Sequence, residues 1–440
     1  MGLTIRVIGQ AARRGLIPRV PAPDHLLTDV RRWITAEYGG FVRSMRDEQT
    51  PAGETELLLD LHPAADTVSL VFGESGRVIA HADTSPVGPG YHTFVARVLE
   101  RLGAELAIAW SGDAPPAAPA AEGARTGARP GAEAGRGPLA ERAGVERAHL
   151  ALLGRALGRA LELRHQGVTG IQLGTRPGTR FSFEGAIATP LGPRDDAWLE
   201  QAILDARVAV DIRPWWADAT DARYLLNRAL CLMWTEVRWR TPADDDERAV
   251  VDEALGLLRR ALPMDPSLAY PWREWHELIT LREVDDPIAH RVAPRAERAD
   301  PSKPSIGYRR RPVTIIHEGW ALEIPGSFAE HRTAEEWSGS DRGRSVTLAG
   351  VPTGTDAGPM RPEAFLARVA GSLGDDVLHH QEGDLVGKAR LGTDSSSGVE
   401  VAILEGYSAV PGRGAAIRIV FEDADDWRWA MDLWRALRPA

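Results

Sequence analysis

The sequence predicts a multi-domain protein with an α+β domain at the amino end, a mostly helical middle domain and a carboxyl-terminal domain of the α/β/α sandwich-like class. Three observations carry this prediction. The chain has 440 residues, which is enough for about two to four domains. Residues 112–138 contain no Val, Ile, Leu or aromatic residue, so they separate two folded parts. Residues 220–300 are patterned as helices, and strand-like runs lie on either side of them.

The amino-terminal domain, residues 1–111, is predicted to contain both helices and strands. The expected elements, in order, are a helix over 24–45, strands over 56–61, 67–72 and 78–81, a helix over 92–102 and a strand over 106–110. The run from Gly73 to Gly76 is typical of a hairpin turn between two of these strands. This order indicates the α+β class.

Residues 112–138 are predicted to form a disordered linker. They consist almost entirely of Ala, Gly, Pro, Glu and Arg. Such a segment cannot bury enough apolar surface to offset the entropy lost on ordering. We therefore expect a flexible connection to the middle domain.

The middle domain, residues 139–300, is predicted to be mainly helical with a small β element. The expected elements are a helix over 139–165, strands over 168–173 and 180–188, a helix over 195–206, a strand over 207–212 and helices from 220 onward.

A helical hairpin is predicted at about 247–281. Ala254 and Ala261 are small enough to let two helices approach closely, Leu258 fills the gap between them, and Pro266 ends the helix. Trp272 then begins the next helix. This spacing resembles the second helix of a tetratricopeptide repeat followed by the first helix of another. A plain helical hairpin with the same pattern is the alternative, since an independent array normally needs three repeats.

The carboxyl-terminal domain, residues 301–440, is predicted to contain strands and two helices. Strands are expected over 313–316, 320–324, 345–351, 388–392, 398–407 and 415–421, and helices over 362–373 and 425–437. The pairs Gly319-Trp320 and Ile324-Pro325, the Pro411-Gly412 turn and the Trp-rich last helix resemble the Mog1/PsbP-like α/β/α sandwich over about 311–440. That resemblance implies a binding or accessory domain rather than an enzyme.

Composition and charge limit the classes of partner. The net charge is -10, which argues against binding to duplex DNA or anionic membranes. The tightest basic run, Arg309 to Arg311, is interpreted as a solvated linker.

No apolar stretch is long enough to span a membrane and no secretory signal is apparent, so we expect a cytoplasmic protein. Cys231 is the only cysteine, which excludes an intramolecular disulfide. Two lysines beside many arginines, alanines and glycines are typical of a high-GC bacterium.

The chemistry-bearing candidates lie together in the amino-terminal domain. No P-loop, HExxH, G-x-S-x-G or dinucleotide-binding fingerprint occurs in the chain. His81, Asp83 and His92 are weak candidates for acid–base catalysis, or for holding a metal, although we expect no metal and no cofactor. Gly88 to Gly90 would turn the backbone into a helix whose amino end favours anions. The segment from Gly88 to His92 resembles one in uncharacterised accessory proteins of bacterial AAA+ ATPase or protease systems.

Tryptophan is unusually frequent, with 14 residues against 8 Phe and 6 Tyr. Weak candidates for partner binding are Trp215, Trp216, Trp272 and Trp275. Tryptophan is enriched at binding hot spots, but it also fills cores. We expect the pair Trp215–Trp216, which follows a proline, to be partly exposed.

These observations favour a non-catalytic protein-interaction adaptor or accessory protein with a protein partner. One alternative is an enzyme of an unfamiliar class with its site near His81, Asp83 and His92. The other is an accessory factor of a secretion or assembly machine, which would need an acidic or apolar groove on the carboxyl-terminal domain. No oligomeric state follows from the sequence.

Overall fold

The fold was analysed in a computed structural model. It describes residues 3–13, 20–112, 142–183, 185–283, 285–333, 335–341, 343–355, 358–374, 377–395 and 400–440. The predicted linker lies, apart from Gly112, outside the described residues. The protein has mixed helices and antiparallel sheets, as expected of a multi-domain α+β protein. No helix in the described ranges is both long and apolar enough to cross a membrane.

The chain divides into two compact units. Unit 1 contains residues 1–176, 185–232 and 256–270, and unit 2 contains residues 177–184, 233–255 and 271–440. These units differ from the four predicted segments, because unit 1 joins the amino-terminal residues to much of the predicted middle domain.

The helices occupy the following ranges: α1 Pro23–Tyr38, α2 Pro89–Leu106, α3 Arg142–His165, α4 Asp196–Leu204, α5 Ala222–Thr235, α6 Asp245–Met264, α7 Trp272–Arg282, α8 Ala289–Glu297, α9 Pro362–Val369 and α10 Trp427–Arg435. Helices α6 and α7 occur where the repeat-like hairpin was predicted.

Unit 1 is built on a six-stranded antiparallel sheet. Its strands are β1 Thr4–Ala11, β2 Ser44–Gln49, β3 Thr55–Asp60, β4 Val68–Phe72, β5 Arg77–Asp83 and β6 Ile108–Gly112, in the order β2-β3-β4-β5-β1-β6. Residues along β1 alternate between exposed and buried, so one face of the sheet forms a core. Helix α1 covers that core with a stripe of buried residues four apart, from Leu26 to Tyr38. A second apolar core lies between α3 and α4.

Unit 2 contains a seven-stranded and a four-stranded antiparallel sheet. The strands are β7 Thr179–Phe181, β8 Val313–His317, β9 Trp320–Ile324, β10 Ala329–Arg332, β11 Glu336–Asp341, β12 Arg344–Pro352, β13 Gly354–Thr355, β14 Gly358–Pro359, β15 Leu378–Glu382, β16 Leu385–Asp394, β17 Val401–Val410, β18 Arg413–Phe421 and β19 Arg438–Pro439. The larger sheet has the order β10-β11-β12-β18-β17-β16-β15, and the smaller has the order β19-β9-β8-β7.

Two helices pack on opposite faces of the larger sheet. Tyr407 and Ala409 of β17 contact the core beneath α9. Gly406, on the alternate face of the same strand, lies against the ring of Trp434 from α10. Because neighbouring strand residues point to opposite faces, the sheet separates the two helices.

Four predicted elements are wrong in extent or type. The helix predicted over 24–45 ends at Tyr38, where Gly39 and Gly40 follow, and residues 44–49 form β2 instead. The strand predicted over 207–212 is a 3₁₀ helix over Val208–Ile212. Its buried residues Ala209 and Ile212 are three apart, which matches the 3₁₀ period rather than the strand period. Of the strands predicted over 168–173 and 180–188, only β7 and isolated bridges form.

Candidate functional site

The predicted trio lies on β5, an interior strand of the unit 1 sheet, and on α2, the helix that follows it. His81 is exposed on β5, and Asp83 ends the same strand. The Asp83 carboxylate accepts hydrogen bonds from the backbone N–H of Ser85 at 2.9 Å and from its hydroxyl at 2.6 Å. This is the turn-closing bond that aspartate commonly makes after a strand.

His92 is held by other partners. Its Nδ1 lies 2.8 Å from the hydroxyl oxygen of Thr84, and its ring meets the edge of the His149 ring at 6.3 Å. Burial, helped by the charge of Arg142, lowers the pKa of His92 to about 4. In the described part of the chain, neither hydrogen bonds nor ion pairs join His81, Asp83 and His92 to one another. Among the same described residues, no group of three His, Cys, Asp or Glu side chains could hold a metal ion.

The glycine segment before α2 serves a packing role. Gly88 has φ +122°, a conformation that favours glycine, and α2 begins at the next residue. The N–H of Trp215 donates to the Val87 carbonyl at 3.0 Å, and the N–H of Gly90 donates to the Trp215 carbonyl at 3.1 Å. A Cβ at Gly90 would lie 2.2 Å from the Ala217 carbonyl oxygen. Protein backbone therefore covers the amino end of α2, contrary to the expectation of an anion site there.

The four candidate tryptophans divide into core and partly exposed residues. Trp215 is 2% exposed and Trp275 is 0% exposed, so both are core residues. Trp216 is partly exposed and donates to Glu146 at 3.3 Å. Trp272 is partly exposed and stacks on Trp275 at 5.5 Å. The expectation that Trp215 and Trp216 are both partly exposed is therefore wrong for Trp215, because the glycine segment packs directly on it.

A groove in unit 2 combines arginines with apolar surface. It has a volume of about 750 Å³ and lies between the Arg309–Arg311 segment, the end of β9 with the turn that follows, and α10. Gly326 permits the close approach of two of these segments. A Cβ on it would lie 2.3 Å from the carbonyl oxygens of both Arg309 and Arg311.

Three arginines of this groove lie within 5 Å of the centroid of an aromatic ring. The guanidinium of Arg310 is 3.8 Å from the Trp239 ring centroid, that of Arg311 is 4.2 Å from Phe183, and that of Arg344 is 4.9 Å from Trp429. Such cation–π contacts hold the guanidinium plane in place.

The same arginines differ in their carboxylate partners. Arg310 makes two bonds to Glu277, at 2.9 and 2.5 Å, and Arg344 makes two bonds to Asp426, at 2.6 and 2.5 Å. Arg311, which is exposed, has no carboxylate partner among the residues that the structure describes. It is therefore the groove arginine that can pair with an incoming carboxylate without displacing one already bound.

One groove residue, Arg309, belongs to a cluster of buried charges. Glu330 lies 2.6 Å from Arg309 and 3.2 Å from Arg238. Burial alone would raise the pKa of Glu330, but the charges of Arg309 and Arg238 outweigh it and lower that pKa. Burial, with the nearby charge of Arg309, lowers the pKa of Arg238 to about 9. The Arg309 Nε–H also donates to the Thr235 carbonyl at 2.8 Å, so the side chain of this groove residue is fixed.

Sequence reasoning missed this groove. Its residues come from separate stretches of the chain, which only the fold brings together. The available signal was the run Arg309 to Arg311, which was interpreted as solvated linker. Only Arg310 and Arg311 of that run are exposed, and Arg309 is 7% exposed.

Comparison with known proteins identifies no family. No family model matches the chain, and no curated protein matches it. A crystal structure from Bacteroides thetaiotaomicron is similar over 28% of this chain and 45% of its own, with 7% sequence identity and a TM-score of 0.24. The chain thus spans less than half the length of that protein, and a similarity of this size carries no argument about fold or function.

Proposed function

We propose that the protein is a non-catalytic interaction adaptor that binds an acidic segment of a partner protein in the unit 2 groove. The observation that carries this proposal is the stacked Arg311, which has no carboxylate partner in the described part of the chain and lines a groove with apolar surface.

The charge at the groove suits a carboxylate. Arg311 is held over Phe183, so pairing with an anion costs less side-chain entropy than it would for a freely rotating arginine. Arg310 and Arg344 lie along the same groove and are also stacked. An acidic partner segment would therefore meet Arg311 between two arginines that are already paired with Glu277 and Asp426.

The apolar surface of the groove suits hydrophobic side chains of the same segment. Pro312 and Ala436 are exposed, and Pro325 and Trp429 are partly exposed. Tryptophan and arginine are the residue types most enriched at the centres of protein interfaces. Helices α9 and α10 on opposite faces of the larger sheet are consistent with the predicted sandwich-like binding domain, which also supports this proposal.

Site-specific photo-crosslinking in the native cell tests the proposal. A benzophenone amino acid at Ala436 lies on the groove, and the same group at exposed Gln381 on β15 is the matched control. We expect a partner crosslinked from position 436 and not from position 381, with the crosslink in an acidic segment. The identity of that partner would also show whether the adaptor serves a secretion or assembly machine.

A second test measures the affinity of the purified partner for variants of this protein. We expect Arg311→Glu to weaken that binding about tenfold or more, since like charges then face each other. Arg428→Glu, an exposed change on α10 that does not line the groove, should leave it unchanged. Equal affinity of Arg311→Glu and the unmodified protein, or a crosslinked segment without carboxylates, would refute the proposal.

A further inference from the structure

Two acidic side chains line the unit 2 groove together with Arg311. They are Glu323, on β9, and Asp432, on α10. Both are exposed, and neither side chain makes a hydrogen bond or an ion pair within the described part of the chain. The other three arginines of the groove already have carboxylate partners. Among the described residues, the charges that the groove leaves unpaired are therefore one cation and two anions.

The Asp432 carboxylate belongs to the wall that α10 contributes to the groove. Trp429, three residues earlier, and Ala436, four residues later, line the groove as well. Residues three and four apart lie on the same side of a helix, so Asp432 shares the side of α10 that borders the groove. A partner that enters the groove therefore passes this carboxylate.

The positions of Arg311 and Glu323 set a spacing between the opposite charges. Strands β8 and β9 pair with Val313 opposite Ile324. The Arg311 carbonyl then lies beside Gly326, which is three residues beyond Glu323. Three residues of extended chain cover at most about 10 Å, and neighbouring strands are about 5 Å apart. The two backbones are thus up to about 11 Å apart, which an extended partner covers in three to four residues.

We propose that the groove recognises a partner segment with charges of both signs, in which an Asp or Glu and a Lys or Arg stand three to four residues apart in an extended stretch. The acid pairs with Arg311, the base pairs with Glu323 and Asp432, and apolar residues between them pack on Pro312 and Pro325. This inference rests on the proposed function and defines the class of partner. A segment that carries only acids is repelled by both groove carboxylates, so the groove discriminates against it.

Selection from a random peptide library on the full-length protein tests the charge pattern. Dodecapeptides displayed on phage are selected at low ionic strength, and peptides that also bind the Arg311→Glu variant are removed. We expect the enriched peptides to carry an acid and a base at the stated spacing. Enriched peptides with an acid but no base at that spacing would overturn this inference and leave the proposed function standing. Enriched peptides without an acid, or no enrichment at all, would overturn both.

An exchange of charges between peptide and groove tests the partner of the base. Replacing the base of an enriched peptide by Glu should weaken its binding to the unmodified protein about tenfold in fluorescence anisotropy. Glu323→Lys should weaken binding of the original peptide by a similar factor and restore the affinity of the altered one. The loss should shrink as salt is added, because exposed charges are screened, whereas a purely structural defect would persist.

A control variant and the melting temperature complete this test. Glu336→Lys, an exposed change on β11 that does not line the groove, should leave the affinities of both peptides unchanged. Asp432→Lys should shift the preference between the two peptides in the same direction as Glu323→Lys. If both groove variants keep the melting temperature of the unmodified protein and neither shifts that preference, the proposed pairing is refuted.

Discussion

Acid sensitivity of unit 1 should depend on His149. This residue of α3 is 0% exposed, and its two ring nitrogens have no hydrogen-bond partner in the described part of the chain. Burial, together with the charges of Arg213, His92 and Arg142, lowers the pKa of His149 to about 3. The folded protein therefore keeps the ring neutral, whereas the unfolded chain protonates it below its ordinary pKa of about 6.5.

The sign and size of the effect follow from proton linkage. When folding lowers the pKa of a histidine, the free energy of unfolding is highest above about pH 6.5, where the ring is neutral in both states. The free energy of unfolding then decreases as the pH falls. Each pH unit between about 6.5 and 3 costs about 1.4 kcal/mol. Between pH 7 and pH 5, His149 should therefore cost unit 1 about 2 kcal/mol.

His149→Leu tests this calculation. The variant should reduce the loss of stability between pH 7 and pH 5 by about 2 kcal/mol, because no proton is then taken up on unfolding at this position. Hydrogen exchange of α3 amides, corrected for the intrinsic rate at each pH, measures the opening free energy of this unit separately from unit 2. His165→Leu, an exposed change on the same helix, should leave the pH dependence as it was. An unchanged difference between pH 7 and pH 5 in His149→Leu would refute the reasoning.

Four further substitutions test the packing around the sites. Glu330→Gln removes the carboxylate between two buried arginines, including Arg238, and should destabilise unit 2 by about 3–5 kcal/mol in hydrogen exchange of β10 and β11. Trp275→Ala should lower stability by about 3–5 kcal/mol in urea denaturation. Trp272→Ala, at a partly exposed ring, should cost clearly less in the same assay. Gly90→Ala should cost about 1–3 kcal/mol and speed exchange of its own amide, because the new Cβ meets a carbonyl oxygen.

The sequence predicted those helices and strands that have a strong apolar pattern of their own. The strands β3, β4 and β5, and the helices α6 and α7, have long apolar patterns bounded by turn residues or prolines. Strand β1 was missed, although exposed and buried residues alternate along it. It forms by pairing with both β5 and β6, which lie far along the chain. Strand β2 was missed because its residues are almost all exposed and carry no apolar pattern.

The candidate site shows the same limit more sharply. His81, Asp83 and His92 were grouped because they are close in sequence, but a strand end and a helix start give them different neighbours. The His92 ring lies within hydrogen-bond distance of Thr84, in the same short segment, and it also packs on His149, which belongs to another helix. Proximity in sequence therefore identified a chemically rich loop, but it did not show which of its residues bond to one another. The contact with His149 depends on long-range packing that one sequence does not display.

Close packing against glycine explains much of the high tryptophan content. A Cβ at Gly90, Gly406 or Gly103 would lie within 3 Å of the ring of Trp215, Trp434 or Trp110, respectively, so these glycines make room for large indoles. Trp215 and Trp434 are core residues and Trp110 is only partly exposed, so frequency alone says nothing about binding. Trp429 differs, because it is partly exposed, lies under an arginine and lines a groove. Partial exposure beside an arginine also describes Trp239 and Trp272, so it is the position of Trp429 in the groove that makes it a candidate for the proposed partner site.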